Sequence, residues 1–442
     1  MLQRLAISCV VVLIALPAVA RTRPHYGGTL QIEIEGDPWQ RPNGLARRLT
    51  LDGLTHMDAN GAVQPALAID WKPENDDHSW EFKLRSGVHF HDGSSLTSAA
   101  VVTALSAACG TNCPWTAIHA VGSSVIFTGS SPMPNLPALL AGDEYLIAAD
   151  AGGNIGTGPF QLNGFNNAVL TLTANENCWA GRPFIDTIEI HVHRSIRDQW
   201  LDLSVGRADL VEVPAEQLRQ AREQHFTVLQ SPSSMLLALS VSTGGALGNP
   251  DLRWAIALAV DRSALCNVIF QKQGEITASL LPSALTGYSF LFSTDRDLNK
   301  SREKHGGVTP PPLTMSTESG SAMQLAAQRI ALNLHDAGFN VQIVAENGAH
   351  PADLALRRIP VTSNQPQAAM EMMLRGAGAQ IPLFDQSPAG LYKVERDFLE
   401  THTLIPLLYL PGAYAIGGRV RDLRLGADGA PLLADAALED AP

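Results

Sequence analysis

Alternation of apolar and polar positions sets the first elements. Trp80, Phe82 and Leu84 alternate with Glu81, Lys83 and Arg85, the period of a half-buried strand. Ser86-Gly87 turns the chain. Val88 and Phe90 then alternate with His89 and His91 as a second strand, which Asp92-Gly93 closes. Thr97 stands at an N-cap position ahead of Ala99, Ala100, Val101 and Val102, so a helix is predicted there. Alternation also predicts strands over 31–35 and 185–191, and the apolar run 235–241 reads as a buried strand. At 251–262 the period becomes helical, with Leu252, Ala255, Ile256, Ala259 and Val260 on one face. A second amphipathic helix over 322–337 ends at Gly338, a glycine suited to the left-handed stop. Strands on either side of it, starting at Leu313 and at Phe339, make a β-α-β unit and imply a parallel sheet.

The N-terminus departs from these patterns. Arg4 precedes a short apolar run over 5–16, followed by the small-x-small sequence Ala18-Val19-Ala20. This predicts a secretory signal peptide over 1–20, cleaved after Ala20, in a run too short for a comfortable membrane span. Too little apolar sequence precedes Cys9 for it to be a lipidated cysteine. Export permits disulfides, and Cys109 and Cys113 are the plausible pair, with two free thiols as the alternative.

Composition narrows the function classes. A chain of 442 residues, 45% hydrophobic, is long enough for two or three domains. A net charge of −12 without a basic cluster argues against nucleic acid as a partner. The chain has no G-x-S-x-G, H-E-x-x-H or P-loop motif, so no enzymatic activity and no cofactor are expected. His89-x-His91 and His191-x-His193 have a spacing that can bind a transition metal on one strand face. A solvated face is the plainer reading for the second pair. Arg253, Asp261 and Arg262 are expected to cap and pair with neighbouring elements.

Several stretches carry a more specific wording. The segment from Trp80 reads W-x-F-x-L-R-x-G-V-x-F-H-D-G and is followed by Leu96-Thr97. It is preceded by Asp58, Gly61, Pro65, Ala66, Leu67, Ala68 and Trp71. Downstream come Gly156-Thr157-Gly158-Pro159-Phe160, then Asn175, Trp179, Gly181, Arg182 and Pro183. Gly206, Ala208, Asp209 and Leu210 follow, and then the helix 251–262 with Asp251, Arg253, Ala255, Asp261 and Arg262. In this order and wording the chain resembles the family 5 extracellular solute-binding proteins, the peptide, oligopeptide and nickel-type binding proteins of bacterial ABC importers.

The resemblance implies an α/β, two-lobed periplasmic binding protein fold of type II, with three domains and hinge-linked lobes. Lobe I would be discontinuous, over 21–50, 151–240 and 411–442. A small domain over 51–150 would be inserted in it, and lobe II would cover 241–410, with crossings near Val241 and Leu410. It further implies strands over 161–165, 169–174 and 404–409. The function implied is capture of a peptide or similar small solute in an interlobe cleft, in the periplasm, for delivery to an ABC permease and ATPase complex at the inner membrane. A metal-chelate or other non-peptide carrier, or a sensor on the same fold, is the alternative. The candidate ligand contacts are Trp39, Trp254, Tyr288 and Tyr409, with core packing as the other reading. Trp39 stands first, because the loop after the first strand faces the cleft in the resembling fold. His91, within F-H-D-G, is expected to stabilise a turn. The Gly156 and Gly158 pair is expected to let the backbones of the two lobes approach closely rather than to form an anion nest. Residues 346–390 match the family poorly and form a shorter segment than its members carry.

Overall fold

The computed structural model describes residues 25–39, 44–108, 113–288, 291–306, 310–318, 320–345, 351–379 and 384–439. Two long strands, Thr227–Val241 and Leu404–Ile416, run antiparallel through the middle of the molecule. Their ladder breaks halfway, with register shifts between Gln230 and Ser233 and between Ser233 and Met235. Pro232 and Pro411 stand at the break, where a residue without an N–H cannot extend the ladder. Residues 227–230 pair with 413–416 on one side, and 235–240 pair with 404–410 on the other. These strands are the two crossings between lobes.

The sheet continues outward on both sides. Beyond the second crossing strand come Leu210–Glu212, Thr29–Glu33, Thr187–His191, Val169–Ala174 and Phe160–Asn166. Beyond the first come Leu354–Pro360, Leu313–Thr317 and Val341–Val344. Each half buries its own core. In lobe I this contains Leu30, Ile32, Leu170, Ile188 and Leu210. In lobe II it contains Leu237, Leu239, Ile256, Met315, Ile330 and Leu407. The β-α-β unit forms as the period predicts: Leu313–Thr317 and Val341–Val344 pair in parallel around helix Ser321–Asp336.

Two expectations change. The ladder of the first long strand breaks at 231–234, ahead of the crossing expected near Val241. The run 235–241 is apolar on both faces because both are covered by lobe II: Leu237 and Leu239 join one core layer, Leu236 and Ala238 another. The second concerns Val88 and Phe90. Both are buried, as the alternation requires, yet apart from one bridge between His89 and Ser95 this stretch joins no ladder. Phe90 N–H donates to Ser94 O within the turn instead (2.8 Å), and Leu96 N–H to Val88 O (2.9 Å).

The small domain holds a four-stranded sheet in the order Ala68–Glu74, Ser79–Leu84, Ser124–Thr128, Ala117–Val121. Phe82 and Phe127 pack edge to face in its core. Thr97 Oγ1 accepts from Ala100 N–H (3.1 Å) and so caps helix Ser98–Ala108. The small domain also touches lobe II: Asn364 N–H donates to Gly61 O (2.9 Å), and Asn135 Nδ2 donates to Glu371 Oε2 (3.1 Å). Within 346–390 the described residues form strand Leu354–Pro360, helix Pro366–Gly376 and the start of helix Pro388–Leu399. Strand Leu354–Pro360 lies between a crossing strand and the β-α-β unit, so this segment is integral to lobe II.

Cys113 is disulfide-bonded, and its expected partner Cys109 lies outside the described residues. Cys178 and Cys266 are free thiols. The expected signal peptide also lies outside the described residues. Among the described residues, no helix is long and apolar enough to cross a membrane.

Candidate functional site: the interlobe cleft

A cavity of about 200 Å³ lies where the lobes meet at the broken part of the crossing strands. Strand direction decides what lines it. In lobe I, Thr29–Glu33 is parallel to Leu210–Glu212, and the segments leaving both carboxyl ends form one wall, with Glu35, Gly36, Asp37, Glu212 and Glu216. In lobe II, Leu313–Thr317 is parallel to Leu354–Pro360, and Glu318 and Arg358 come from the same end of that pair. Ligand crevices of open α/β sheets lie outside the carboxyl ends of parallel strands. Here two such ends face each other. Met235, Phe270, Met323 and Leu410 add an apolar surface. Gln199 enters from helix Ile196–Ser204, whose N-cap Ser195 Oγ accepts from Asp198 N–H (3.2 Å).

The cleft is electrostatically lopsided. Its described lining carries the carboxyl groups of Glu35, Asp37, Glu212, Glu216, Glu318 and Asp428 against the single guanidinium of Arg358. Arg358 is committed to Glu318: its backbone N–H donates to Oε1 and its Nε to Oε2, each at 2.8 Å. Burial works against the Arg358 charge, but Glu318 and Glu212 outweigh it and hold the group more firmly protonated than usual. Asp428 pairs with Arg48, which also holds Asp143 (3.0 Å) and thereby ties helix Leu45–Thr50 to the small domain. Burial pushes the Glu216 carboxyl up to about 7; Glu35 and Glu212 push the same way, while its own backbone N–H and Arg358 pull it down. Glu35 is raised by burial and then by Glu212.

The four aromatic candidates are not brought together, and none of them lines this cleft. Trp39 packs half-buried against the lobe I core, its backbone N–H donating to Asp37 Oδ1 (2.8 Å). Its neighbours Gly36 and Asp37 reach the cleft instead. Trp254 borders a separate cavity of about 220 Å³ in lobe II, stacked on His402 at 5.9 Å with Lys300 and Lys304 over its ring. Tyr288 donates to the buried Glu395. Tyr409 is 2% exposed and donates to Leu280 O. The reason for Tyr409 is strand parity. Leu410 lines the cleft, so the residue before it points to the opposite face. Sequence reasoning missed Glu35, Gln199, Glu212, Glu216 and Arg358. One signal was available for two of them: Glu35 closes a predicted strand, and Glu212 stands two residues after the motif residues Ala208, Asp209 and Leu210.

The histidine pairs resolve into structural roles. His91 Nδ1 accepts from Gly156 N–H (3.3 Å), so Nε2 carries the proton and donates to Gly158 O (3.1 Å). The F-H-D-G turn is thereby bolted to the G-T-G-P turn by a neutral imidazole. His191 Nε2 is bonded to Gln31 Oε1 (2.8 Å), while His193 lies past the strand end with φ +58°, so the two do not share a strand face. Among the described residues, no group of three or more His, Cys, Asp or Glu is placed to hold a metal ion. Arg253 donates to the carbonyls of Thr401 and Leu247 (2.8 Å each), Asp261 caps the next turn through Ala264 N–H (2.8 Å), and Arg262 donates to Pro406 O (2.9 Å).

Burial lowers the His91 pKa below its ordinary 6.5. A protonated His91 would lose its Gly156 bond, so the folded state takes up this proton at lower pH than the unfolded chain does. Stability from His91 is therefore present above about pH 6.5 and is lost as pH falls through the depressed value. The raised cleft carboxyls act in the opposite sense, so the His91 share must be read as a difference. The stability gap between wild type and His91→Gln is expected to shrink between pH 7.5 and 5.5 in urea titrations. A gap that is constant with pH would contradict the assigned tautomer.

The comparisons with known proteins come to the same architecture. A family model described as bacterial extracellular solute-binding proteins, family 5 Middle, matches residues 62–393. The probable di/tripeptide-binding protein 5 of Pseudomonas aeruginosa is 24% identical over 363 residues, 68% of this chain and 69% of that protein. The probable D,D-dipeptide-binding periplasmic protein DdpA of Escherichia coli is 25% identical over 313 residues, 64% of this chain and 61% of that one. The chain thus spans about two thirds of the length of these relatives. The solved structure of the PBP AgaA from A. tumefacien R10, in complex with agropinic acid, superposes with a TM-score of 0.81 at 19% identity, covering 94% of this chain and 99% of that one. At that identity the likeness shows a shared fold.

Proposed function

The chain belongs to the family 5 bacterial extracellular solute-binding proteins, and on that premise we propose that it is the exported solute-binding component of an ABC importer. It captures a peptide or similar small solute between its lobes and delivers it to a membrane permease and its ATPase. The observation that carries this reading is the cleft itself. Its walls come from both lobes, and they are joined by two strands whose ladder breaks at Pro232 and Pro411. Such a break lets the lobes rotate without disturbing either core, and a ligand touching both walls favours the closed form by its differential affinity. The signal-peptide pattern over 1–20 supports export and a periplasmic site of action. The role is binding, and the arrangement of cleft side chains supports recognition more readily than turnover.

Native mass spectrometry of the exported protein, purified without denaturant, tests this directly. A co-purified small solute is expected. Adding that solute to stripped protein should reduce the radius of gyration in solution scattering. At a hundredfold excess over Kd it should also raise stability by about 2.7 kcal/mol. Protein that carries no solute, and that neither contracts nor gains stability with any member of a peptide and amine panel, would overturn the reading.

A further inference from the structure

The second cavity, of about 220 Å³, lies within lobe II and shares no lining residue with the interlobe cleft. Its inner end is formed by Arg262 with Leu404 and Ile405, all buried, and its outer end by the exposed Ser293, Asp295 and Lys300. Trp254, Ala257, Leu258 and Phe292 make its sides apolar. Two arginines among the described residues are less than a tenth exposed, and they differ. Arg253 gives its N–H groups to three carbonyls, those of Thr401, Leu247 and Gly248. Arg262, 5% exposed, donates only from Nε, to Pro406 O, where the ladder of the crossing strands slips beside Ala238. Its two terminal nitrogens have no acceptor and no ion pair among the described residues, yet they keep accessible surface, and Arg262 lines the cavity. Burial lowers its pKa to about 10, with no acid to lift it. The other charges of the lining do not supply a counter-ion. Lys300 and Asp295 offset each other at the outer end, and burial holds His402 below its ordinary pKa, hence neutral at pH 7. A buried guanidinium without a counter-charge is costly. With Nε taken, its free end is a planar fork of N–H groups that matches a carboxylate. Apolar cavities of about 150 Å³ take up a benzene-sized molecule, so this one has room for a ring or branched chain and an acid group.

We infer that this cavity is a second binding site, for a small monocarboxylate with an apolar body: the carboxylate meets the terminal N–H groups of Arg262, and the ring or branched chain lies against Ala257, Leu258 and Phe292. The site uses nothing from the interlobe cleft, so it stands or falls separately from the solute-binding reading.

Phenylacetate and its neutral isostere phenylacetamide, titrated by calorimetry into the exported protein at pH 7, test this. The acid is expected to bind with a Kd of about 1 mM or tighter. The amide should bind at least about tenfold more weakly, the size of effect one charge contact produces in a partly buried site. Ala257→Leu fills the cavity from its helix wall. It should weaken phenylacetate at least about tenfold and leave the midpoint of unliganded unfolding unchanged or higher. Arg262→Gln keeps a donor for Pro406 O and should erase the preference for acid over amide. A purely structural Arg262 predicts no phenylacetate binding at ~10 mM, an order of magnitude above the expected Kd, or binding that neither variant changes. Either result would overturn the inference, as would amide bound as tightly as acid to the wild-type protein, and each would leave solute capture in the interlobe cleft untouched.

Discussion

Gly156→Ala is expected to destabilise the protein by at least about 3 kcal/mol, at the upper end of what a single added methyl costs in a packed site. A Cβ at this position would overlap the Thr50 carbonyl oxygen and stand 2.5 Å from Leu51 Cδ2. The carbonyl cannot step aside. Thr50 ends helix Leu45–Thr50, its carbonyl accepts from Gly158 N–H (3.1 Å), and its hydroxyl is buried against Ala46 O (3.0 Å). Gly156 N–H is itself held by His91. Displacing the turn would therefore undo bonds to the helix and to the small domain together. Asp52, next along, accepts from Thr157 Oγ1 and Trp179 Nε1 (2.8 Å each) and would be disturbed as well. Urea unfolding of the variant checks this, beside Gly418→Ala, where an added Cβ meets nothing within 4 Å and a change within about 0.5 kcal/mol is expected. Equal midpoints for the two variants would refute the close approach.

Glu395→Ala is expected to be at least as damaging, at about 3–5 kcal/mol. Glu395 is 0% exposed and sits within lobe II, where it accepts from Leu280 N–H (2.6 Å), Leu281 N–H (3.3 Å) and the Tyr288 hydroxyl. Burial raises its carboxyl pKa, while these donors favour the ionised form. Truncation would strand two backbone donors and a phenol in the interior, at about 1–3 kcal/mol for each buried group left unmet, and would open a cavity beside them. Glu395→Gln keeps an acceptor at the site and should cost less, about 1–2 kcal/mol. If the glutamine variant unfolds as readily as the alanine variant, the carboxylate's value lies in its charge rather than in accepting these bonds. The same contact explains Tyr288. It is an aromatic that sequence suggests for ligand contact, and it serves to hold a buried acid.

The motifs behave alike. F-H-D-G and G-T-G-P, separated in the chain, turn out to be halves of one joint, with His91 between Gly156 and Gly158. The expected turn-stabilising histidine and the glycines of close approach meet in that joint. The approach is onto the end of a lobe I helix rather than between the lobes. Arg253 and Asp261 likewise cap and tie neighbouring elements, so the strongest sequence signatures lie in the scaffold. Apart from Glu212, beside the motif that ends at Leu210, the cleft residues Glu35, Gln199, Glu216 and Arg358 carry no such wording around them.

What the sequence determined by itself is local. Alternation marks strand Ser79–Leu84, the helical period marks Pro250–Ala259 and Ser321–Asp336, and the ordered motifs mark the family. These depend on neighbours within a few residues, which a single chain displays directly. Tertiary structure decided which acids converge. Glu35, Glu212 and Glu216 share a wall because Thr29–Glu33 and Leu210–Glu212 pair in parallel, and Arg358 faces them because Leu354–Pro360 joins the first crossing strand in one register. A shift of one residue would turn each side chain to the opposite face. That register is set by burial of two separate cores and by the break at Pro232 and Pro411, which are long-range facts no local pattern encodes.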